Sequence, residues 1–321
     1  TEVGDVSFAF CYSLQSVYCK PTTPPIAILD NFAGYGWEAF DWNFGTTIYV
    51  PAASVEEYKS ADGWSKYADN IVGYDFEKGE VVQSNNEIWY TATEKVLPYK
   101  TDNFGANIVS NEWNESTGKG IITFDGEVTS IGEYAFGYCT SLTSVTIPDS
   151  VTFIGNCAFR GCTSLTSVTI GNSVTEIGDG AFVDCTKLSS FNGKFASEDG
   201  RCLIIDGVLI SFAPANISVY TIPDSVTSIG DCAFLRCRNL TTLTIHDNVT
   251  SIGEFAFQRC EGLSSLIIGN NVATIGYNSI SSCTSLTSIT IPNSVTTIGN
   301  EAFWGCSGLK SITIPDSVTS I

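Results

Sequence analysis

The 321 residues include 34 Asp and Glu against 15 Lys and Arg, for a formal net charge of -19. That acidity disfavours nucleic acid and anionic lipid, whose recognition needs a basic footprint, and it favours solubility. No run of eighteen or more apolar residues occurs, so membrane insertion is not expected, and the absence of an initiator Met or a basic-then-apolar leader reads as a mature form or an expressed segment.

In chain order, residues 3 to 17 place Val3, Gly4, Phe8, Cys11, Leu14 and Val17 in a frame that recurs in full further on. The run P-T-T-P-P at 21 to 25 is a stiff loop. Over 46 to 74, T-I-Y-V-P predicts a strand, and Ser54 with Glu57 predicts a capping box opening a short helix through Tyr58 and Lys59. Trp64 and Tyr67 would then cover the end of a stack. Residues 1–76 thus read as the end of one repeat block with its cap. Residues 77–120 read as a linker and the entry cap of a second block, with Trp89, Tyr90, Phe104 and Trp113 in that cap.

Residues 121–321 keep a 23-residue beat. Val128, Val151, Val174, Val226, Val249, Val272, Val295 and Val318 mark it, as do Cys139, Cys162, Cys185, Cys237, Cys260, Cys283 and Cys306. Such a period predicts a solenoid whose units bury apolar faces only against their neighbours. Within one unit, Leu142, Val145 and Ile147 predict a short strand stopped by Pro148. Asp149 and Ser150 turn the chain, Val151 and Ile154 return it to the core, Gly155 permits a bend, and Ala158, Phe159 and Cys162 complete the far side. The regular cysteines, with Cys11 counted among them, read as stacked buried thiols rather than a disulfide framework. Cys19, Cys157, Cys202 and Cys232 fall off the beat and are the better candidates for oxidation, although Cys157 and Cys232, several repeats apart, are not expected to meet. The 52-residue step from Val174 to Val226 signals an insertion near 192–220. Its Asp206-Gly207 between apolar runs predicts a β-hairpin extending from the solenoid.

The units, which read like V-T-S-I-G-x-x-A-F-x-x-C-x-S-L-T-S-V-T-I-P, resemble leucine-rich repeats of the 23-residue BspA-like class found in surface proteins of Bacteroidetes. The usual Asn ladder is replaced by small polar residues such as Ser150, Ser173, Asn248, Asn271 and Ser294. The resemblance implies a mainly β solenoid, a right-handed superhelix of short parallel strands with an inserted hairpin and a small helical cap. It also implies an extracellular or cell-surface location and adhesion to a protein or glycan, on host extracellular matrix or on another bacterium.

Catalytic and metal chemistry find little support. His246 occupies the frame position of Pro148 and Pro223 and reads as a turn residue, since no second ligand accompanies it. No hydroxyl has a visible base partner, and no cofactor is implied. The ladder Asp149, Asn172, Asp224, Asp247, Asn270, Asn293 and Asp316 offers oxygens to calcium, but turn chemistry selects the same residues. Three candidate surfaces remain. Ser144, Thr146, Ser167, Thr169, Thr242, Thr244, Ser288, Thr290, Ser311 and Thr313 form a concave hydroxyl face without the Trp, Tyr or Arg that anchors affinity. Tyr138, Arg236, Arg238, Phe255, Arg259, Tyr277 and Trp304 are irregular loop residues. The chain starts and stops within a repeat, so Val3, Phe8, Leu14 and Val17 could meet Ile312, Ile314, Val318 and Ile321 of another copy. That head-to-tail contact would make the protein a spacer or fibre subunit, the alternative to adhesion.

Overall fold

The computed structural model describes residues 2–3, 8, 11–27 and 45–321, and the chain divides into two compact units, 1–84 and 85–321. In the first, strands Ser16–Tyr18, Thr47–Pro51 and Ile71–Asp75 pair in parallel, and Glu80–Val81 returns antiparallel. Alternation sends Ile48, Val50 and Ile71 inward onto Tyr58 and Trp64. A six-residue helix, Val55–Ser60, follows the middle strand, but Ser54 makes no side-chain capping bond. The expected capping box is therefore not formed; Ser54 is buried in the short 3-10 turn Ala52–Ser54 that leads into the helix. What holds the cap is the proline run. The Tyr58 hydroxyl donates to the Pro21 carbonyl at 2.9 Å, and the Trp64 indole N–H donates to that of Pro25 at 2.8 Å.

The second unit opens with an antiparallel sheet of Ile108–Asn114, Lys119–Phe124 and Glu87–Ala92, which runs on through Leu142–Thr146, Ser167–Thr169 and Ser190–Asn192. From Leu142–Thr146 onward the pairing is parallel, and the register advances by the sequence period: Ser144 faces Ser167, and Ser167 faces Ser190. Further on, Val219–Thr221, Thr242–Thr244 and Ser265–Ile267 repeat the arrangement. A second row of two-residue strands, such as Ser228–Ile229, Ser251–Ile252 and Thr274–Ile275, lines another side of the coil.

Between these rows like residues stack on like. Phe136, Phe159 and Phe182 have ring centroids 5.2 Å apart with planes within 7° and 6°, and Val128, Val151 and Val174 are buried beneath them. The regular thiols join this core as expected, from Cys139 to Cys283, with Cys306 partly exposed. They also act as donors. Cys162, Cys185 and Cys260 give their S–H to the carbonyls of Phe136, Phe159 and Phe234, at 3.0, 3.1 and 3.0 Å, so each thiol satisfies a backbone acceptor of the preceding turn. Cys11 departs from the expectation, being exposed. The small polar ladder works in the same manner: Ser150 and Ser294 donate to Val128 and Val272, and Asn248 and Asn271 to Asp224 and Asp247.

The hairpin forms where predicted, Cys202–Ile205 against Val208–Phe212, with Asp206 and Gly207 at φ 49° and 80°. It does not extend from the solenoid. Val208–Phe212 pairs in parallel with Ser228–Ile229 and so becomes a rung of the second row. Leu203 and Ala213 join the core built from residues 88 to 191, whereas Cys202, Leu209 and Phe212 join the core that continues to Ala302. A polar knot fixes it in place. Asp199 accepts from Tyr220 and Ser197, and Tyr220 lies 3.2 Å from the Cys202 thiol.

Phe159→Ala, by opening a hole in the ring column, should cost about 3–5 kcal/mol in urea unfolding. Burial also pushes the thiols of Cys139 and Cys202 up to about 12 from 9.0. Because the folded value is the higher one, the stability they contribute is complete below pH 9 and drains away as pH rises from there toward 12. Urea midpoints should therefore hold up to about pH 9 and then fall, less steeply in the Cys139→Ala/Cys202→Ala double variant.

Candidate functional site

The sheet that starts the second unit presents one face to the core and the other to solvent. On the solvent face Ser144, Ser167 and Ser190 form one row, and Thr146, Thr169 and Asn192 another. The expected hydroxyl face is thus assembled, but in three sheets. Thr242 and Thr244 lie in the one after the insertion, and Ile289–Thr290 and Ile312–Thr313 form the last, beside Ser288 and Ser311. The face is not devoid of aromatic anchors. Glu87–Ala92 of the entry cap pairs antiparallel with Leu142–Thr146, which sets Trp89 opposite Thr146 and Thr91 opposite Ser144. The Thr91 hydroxyl lies 2.6 Å from that of Ser144 and 2.7 Å from that of Thr143, so the serine row ends in a bonded cluster. Trp89 is half-buried and donates its indole N–H to Glu87 at 2.7 Å; beyond it in register lies the exposed Ile121. Sequence reasoning missed Trp89 because it lies outside the repeat frame. The signal was the alternation E-I-W-Y-T-A, which puts Glu87, Trp89 and Thr91 on one side and Ile88, Tyr90 and Ala92 on the other.

The irregular loop residues share an unexpected backbone property. Each turn of the coil carries two residues with left-handed φ, in two columns. One runs through Tyr134, Cys157, Gly180, Cys232, Phe255, Asn278 and Glu301, the other through Tyr138, Gly161, Asp184, Arg236, Arg259, Ser282 and Gly305. Left-handed backbone costs an ordinary side chain about 1–2 kcal/mol. The offset is a bond to the next turn. Tyr138 N–H donates to Arg160 O at 2.7 Å, Arg236 to Gln258 at 2.8 Å and Arg259 to Ser281 at 2.9 Å. Four of the seven loop candidates, Tyr138, Arg236, Phe255 and Arg259, therefore stand at enforced positions. Tyr138 and Trp304 are well exposed, and Phe255 and Tyr277 meet edge to face at 5.1 Å. Arg236 pairs with Asp184 at 2.7 Å and Arg238 lies 3.6 Å from Glu261, so the arginines do not form one free cluster.

The Arg236–Asp184 pair spans the place where the insertion interrupts the turn ladder. A cleft lies there, enclosing ≈ 360 Å³ with its open mouth included, lined by Gly180, Phe182, Ser211, Phe212, Pro214 and Leu235 among others. Cys157 and Cys232 stand in one left-handed column with Gly180 between them, and both thiols are free. Burial pushes the Cys232 thiol up to about 12, and the nearby Asp179 and Asp231 add to the rise.

The remaining candidates resolve simply. His246 accepts a backbone N–H from Asn248 at 3.1 Å and donates through Nε2 to Pro223 O at 2.7 Å, as a turn residue would. Asp149 and Asp247 accept from Asn172 and Asn270 of the following turn, and no group of three or more acidic, His or Cys side chains suited to a metal occurs among the described residues. Of the end-to-end set, Leu14 and Val17 pack against the first unit's core, and Ile312 and Val318 against the second's. Phe8, Ile314 and Ile321 are exposed, and the Val3 side chain lies outside the described residues.

The family model described as BspA type leucine rich repeat region matches in 6 copies, over residues 107–197 and 210–321. A leucine rich cell surface protein from Faecalibacterium prausnitzii A2-165 is 36% identical, over 60% of this chain and 52% of its own, with a TM-score of 0.51. The chain thus spans about half that protein's length. The leucine rich repeat protein of T. pallidum is 26% identical, over 59% of this chain and 75% of its own, with a TM-score of 0.36. No curated protein matches the sequence.

If the second left-handed column is a structural necessity, Arg259→Gly should raise stability by about 1 kcal/mol, since glycine takes this conformation without the Cβ penalty. Thermal melting checks it. Arg259 is exposed, so no lost packing competes with the gain.

Proposed function

The chain belongs to the BspA-type leucine-rich repeat family, and on that premise we propose that it is a non-enzymatic binding module of the bacterial surface. It holds an extracellular protein or glycan, of host or bacterial origin, on the strand face at the start of the second unit. The observation that carries this reading is the placement of Trp89 opposite Thr146, at the end of two unbroken rows of small polar side chains. Hydroxyl rows alone offer many weak, interchangeable hydrogen bonds. A large aromatic beside them supplies the anchor that concentrates binding energy, and the exposed Ile121 widens the apolar spot. The rigid ladder beneath means that little order has to be gained on binding.

The family and the F. prausnitzii cell surface protein both support a surface location. Adhesion fits the composition as well. An acidic chain avoids anionic surfaces in general, and it can select partners through shape and hydrogen bonding.

Immobilised extracellular matrix proteins and bacterial surface glycans should retain the wild-type protein in surface plasmon resonance. Trp89→Ala should lose at least about tenfold in affinity, with an unchanged circular dichroism spectrum and melting curve. Equal binding by the variant would sink the strand-face reading.

A further inference from the structure

The apolar spot on the strand face is built by the three strands of the entry cap, whose outward side chains fall into register. Glu112, Ile121 and Trp89 stand side by side across Ile108–Asn114, Lys119–Phe124 and Glu87–Ala92, and Trp89 in turn faces Thr146. Glu112 is exposed and makes no ion pair among the described residues. Glu87, two residues before Trp89 and on the same side, accepts the indole N–H at 2.7 Å, which fixes the ring and sets a second carboxylate at its edge. Lys119, opposite Thr91 in the neighbouring row, is the one cation on these three strands. The strands are pinned from beneath. Tyr90 lays its ring where a Cβ on Gly120 would collide with it, and its hydroxyl donates to Asn111 at 2.8 Å. The spacing of Glu112, Ile121 and Trp89 is therefore set before a ligand arrives.

We infer, resting on the strand-face reading, that the partner is a protein and that it seats an arginine here, the guanidinium above Ile121 and between the Trp89 ring and the Glu112 carboxylate. Adjacent strands lie about 4.8 Å apart, so a group centred on Ile121 has Trp89 one step to one side and Glu112 one step to the other. Charge selects this occupant. A neutral ligand covering Ile121 and Trp89 would strip water from Glu112 and leave its charge uncompensated, whereas a guanidinium pairs with it. The indole face is the strongest cation acceptor among aromatic rings, and a planar guanidinium stacks on it while its N–H groups reach a carboxylate, which an ammonium does less well. The hydroxyls that a sugar would need beside Trp89 are engaged already, for Thr91 is bonded to both Thr143 and Ser144. At longer range the chain's charge of -19 draws cationic partners toward the face.

Isothermal titration calorimetry of the full chain with an end-blocked peptide of alternating threonine and arginine reads the interaction. The same peptide with citrulline in place of arginine keeps the shape and removes the charge, and it should bind at least about fivefold more weakly. Glu112→Gln should weaken the arginine peptide about fourfold and flatten its salt dependence, and Trp89→Ala should weaken it roughly tenfold. Asp316→Asn, which removes one exposed carboxylate at the far end of the same unit, should leave binding unchanged and so controls for the overall charge. Circular dichroism checks that each variant is folded. Equal binding of the citrulline peptide, a Glu112→Gln effect no larger than that of Asp316→Asn, or displacement of the arginine peptide by a soluble neutral polysaccharide would overturn the assignment. Retention on immobilised matrix proteins separates this inference from the reading beneath it. If Trp89→Ala lowers retention and Glu112→Gln does not, the arginine seat falls and the strand face stands; if neither lowers it, both fall.

Discussion

Everything in the second unit depends on one constraint: the backbone of each turn finds its hydrogen-bond partners in the next turn, 23 residues on. Ser144, Ser167 and Ser190 share a row for that reason, as do the phenylalanine rings and the thiols. A layer repeat of about 4.8 Å is too close for side chains of unlike size to alternate freely, so like packs on like. It also explains where glycine is compulsory. A Cβ on Gly155 would lie 2.6 Å from the backbone nitrogen of Glu133 in the preceding turn, a contact no side chain survives. The same ladder holds ordinary residues such as Tyr138 and Arg259 in left-handed backbone, because the bond made to the next turn offsets a local cost.

The insertion shows what happens when the rule is suspended. In the first row, Ser190–Asn192 closes one sheet and Val219–Thr221 opens the next, while in the second row Glu176–Ile177 closes one sheet and the hairpin opens the next. Its two strands divide their side chains between the cores on either side, so the hairpin acts as a shared wall. On the turn side it supplies Phe212, which stacks 4.8 Å from Phe234, but Phe182 turns instead to Phe191. The break is bridged by the Arg236–Asp184 pair, half-buried at both ends, in a place where backbone bonds do the work elsewhere. A structural task of this kind explains why Arg236 looked irregular in the sequence.

Most of the fold was legible because periodicity reports burial. Val128, Phe159 and Cys162 recur only if they meet their equivalents, and they do. The Asp206-Gly207 turn was equally plain, since few pairs accept two consecutive positive φ angles. What escaped notice was partner choice. That Val208–Phe212 would pair with Ser228–Ile229, and so not project, depends on a sheet edge that no local pattern reveals. Ser54 and Glu57 had the spacing of a capping box, yet the 3-10 turn before the helix buries Ser54 and no capping bond is made. Trp89 and Glu112 were invisible as a site for a related reason. Each becomes part of a face only through pairing with a strand that sequence distance does not identify.

A regular scaffold creates a problem for recognition. If every turn offered the same Ser and Thr, a ligand could slide from one register to another at little cost, and binding would be multivalent but unspecific in position. Fixed registration requires an element that the period does not supply. In the second unit the entry cap provides one, because antiparallel pairing brings Trp89 to the end of the threonine row. In the first unit the rows themselves change character, with tyrosines at the positions that threonines hold elsewhere. Both departures lie where side-chain identity is released from the packing rule, on faces turned away from the core. The period therefore fixes the interior and leaves the exterior free to vary, and function should be sought where the exterior differs from the repeat.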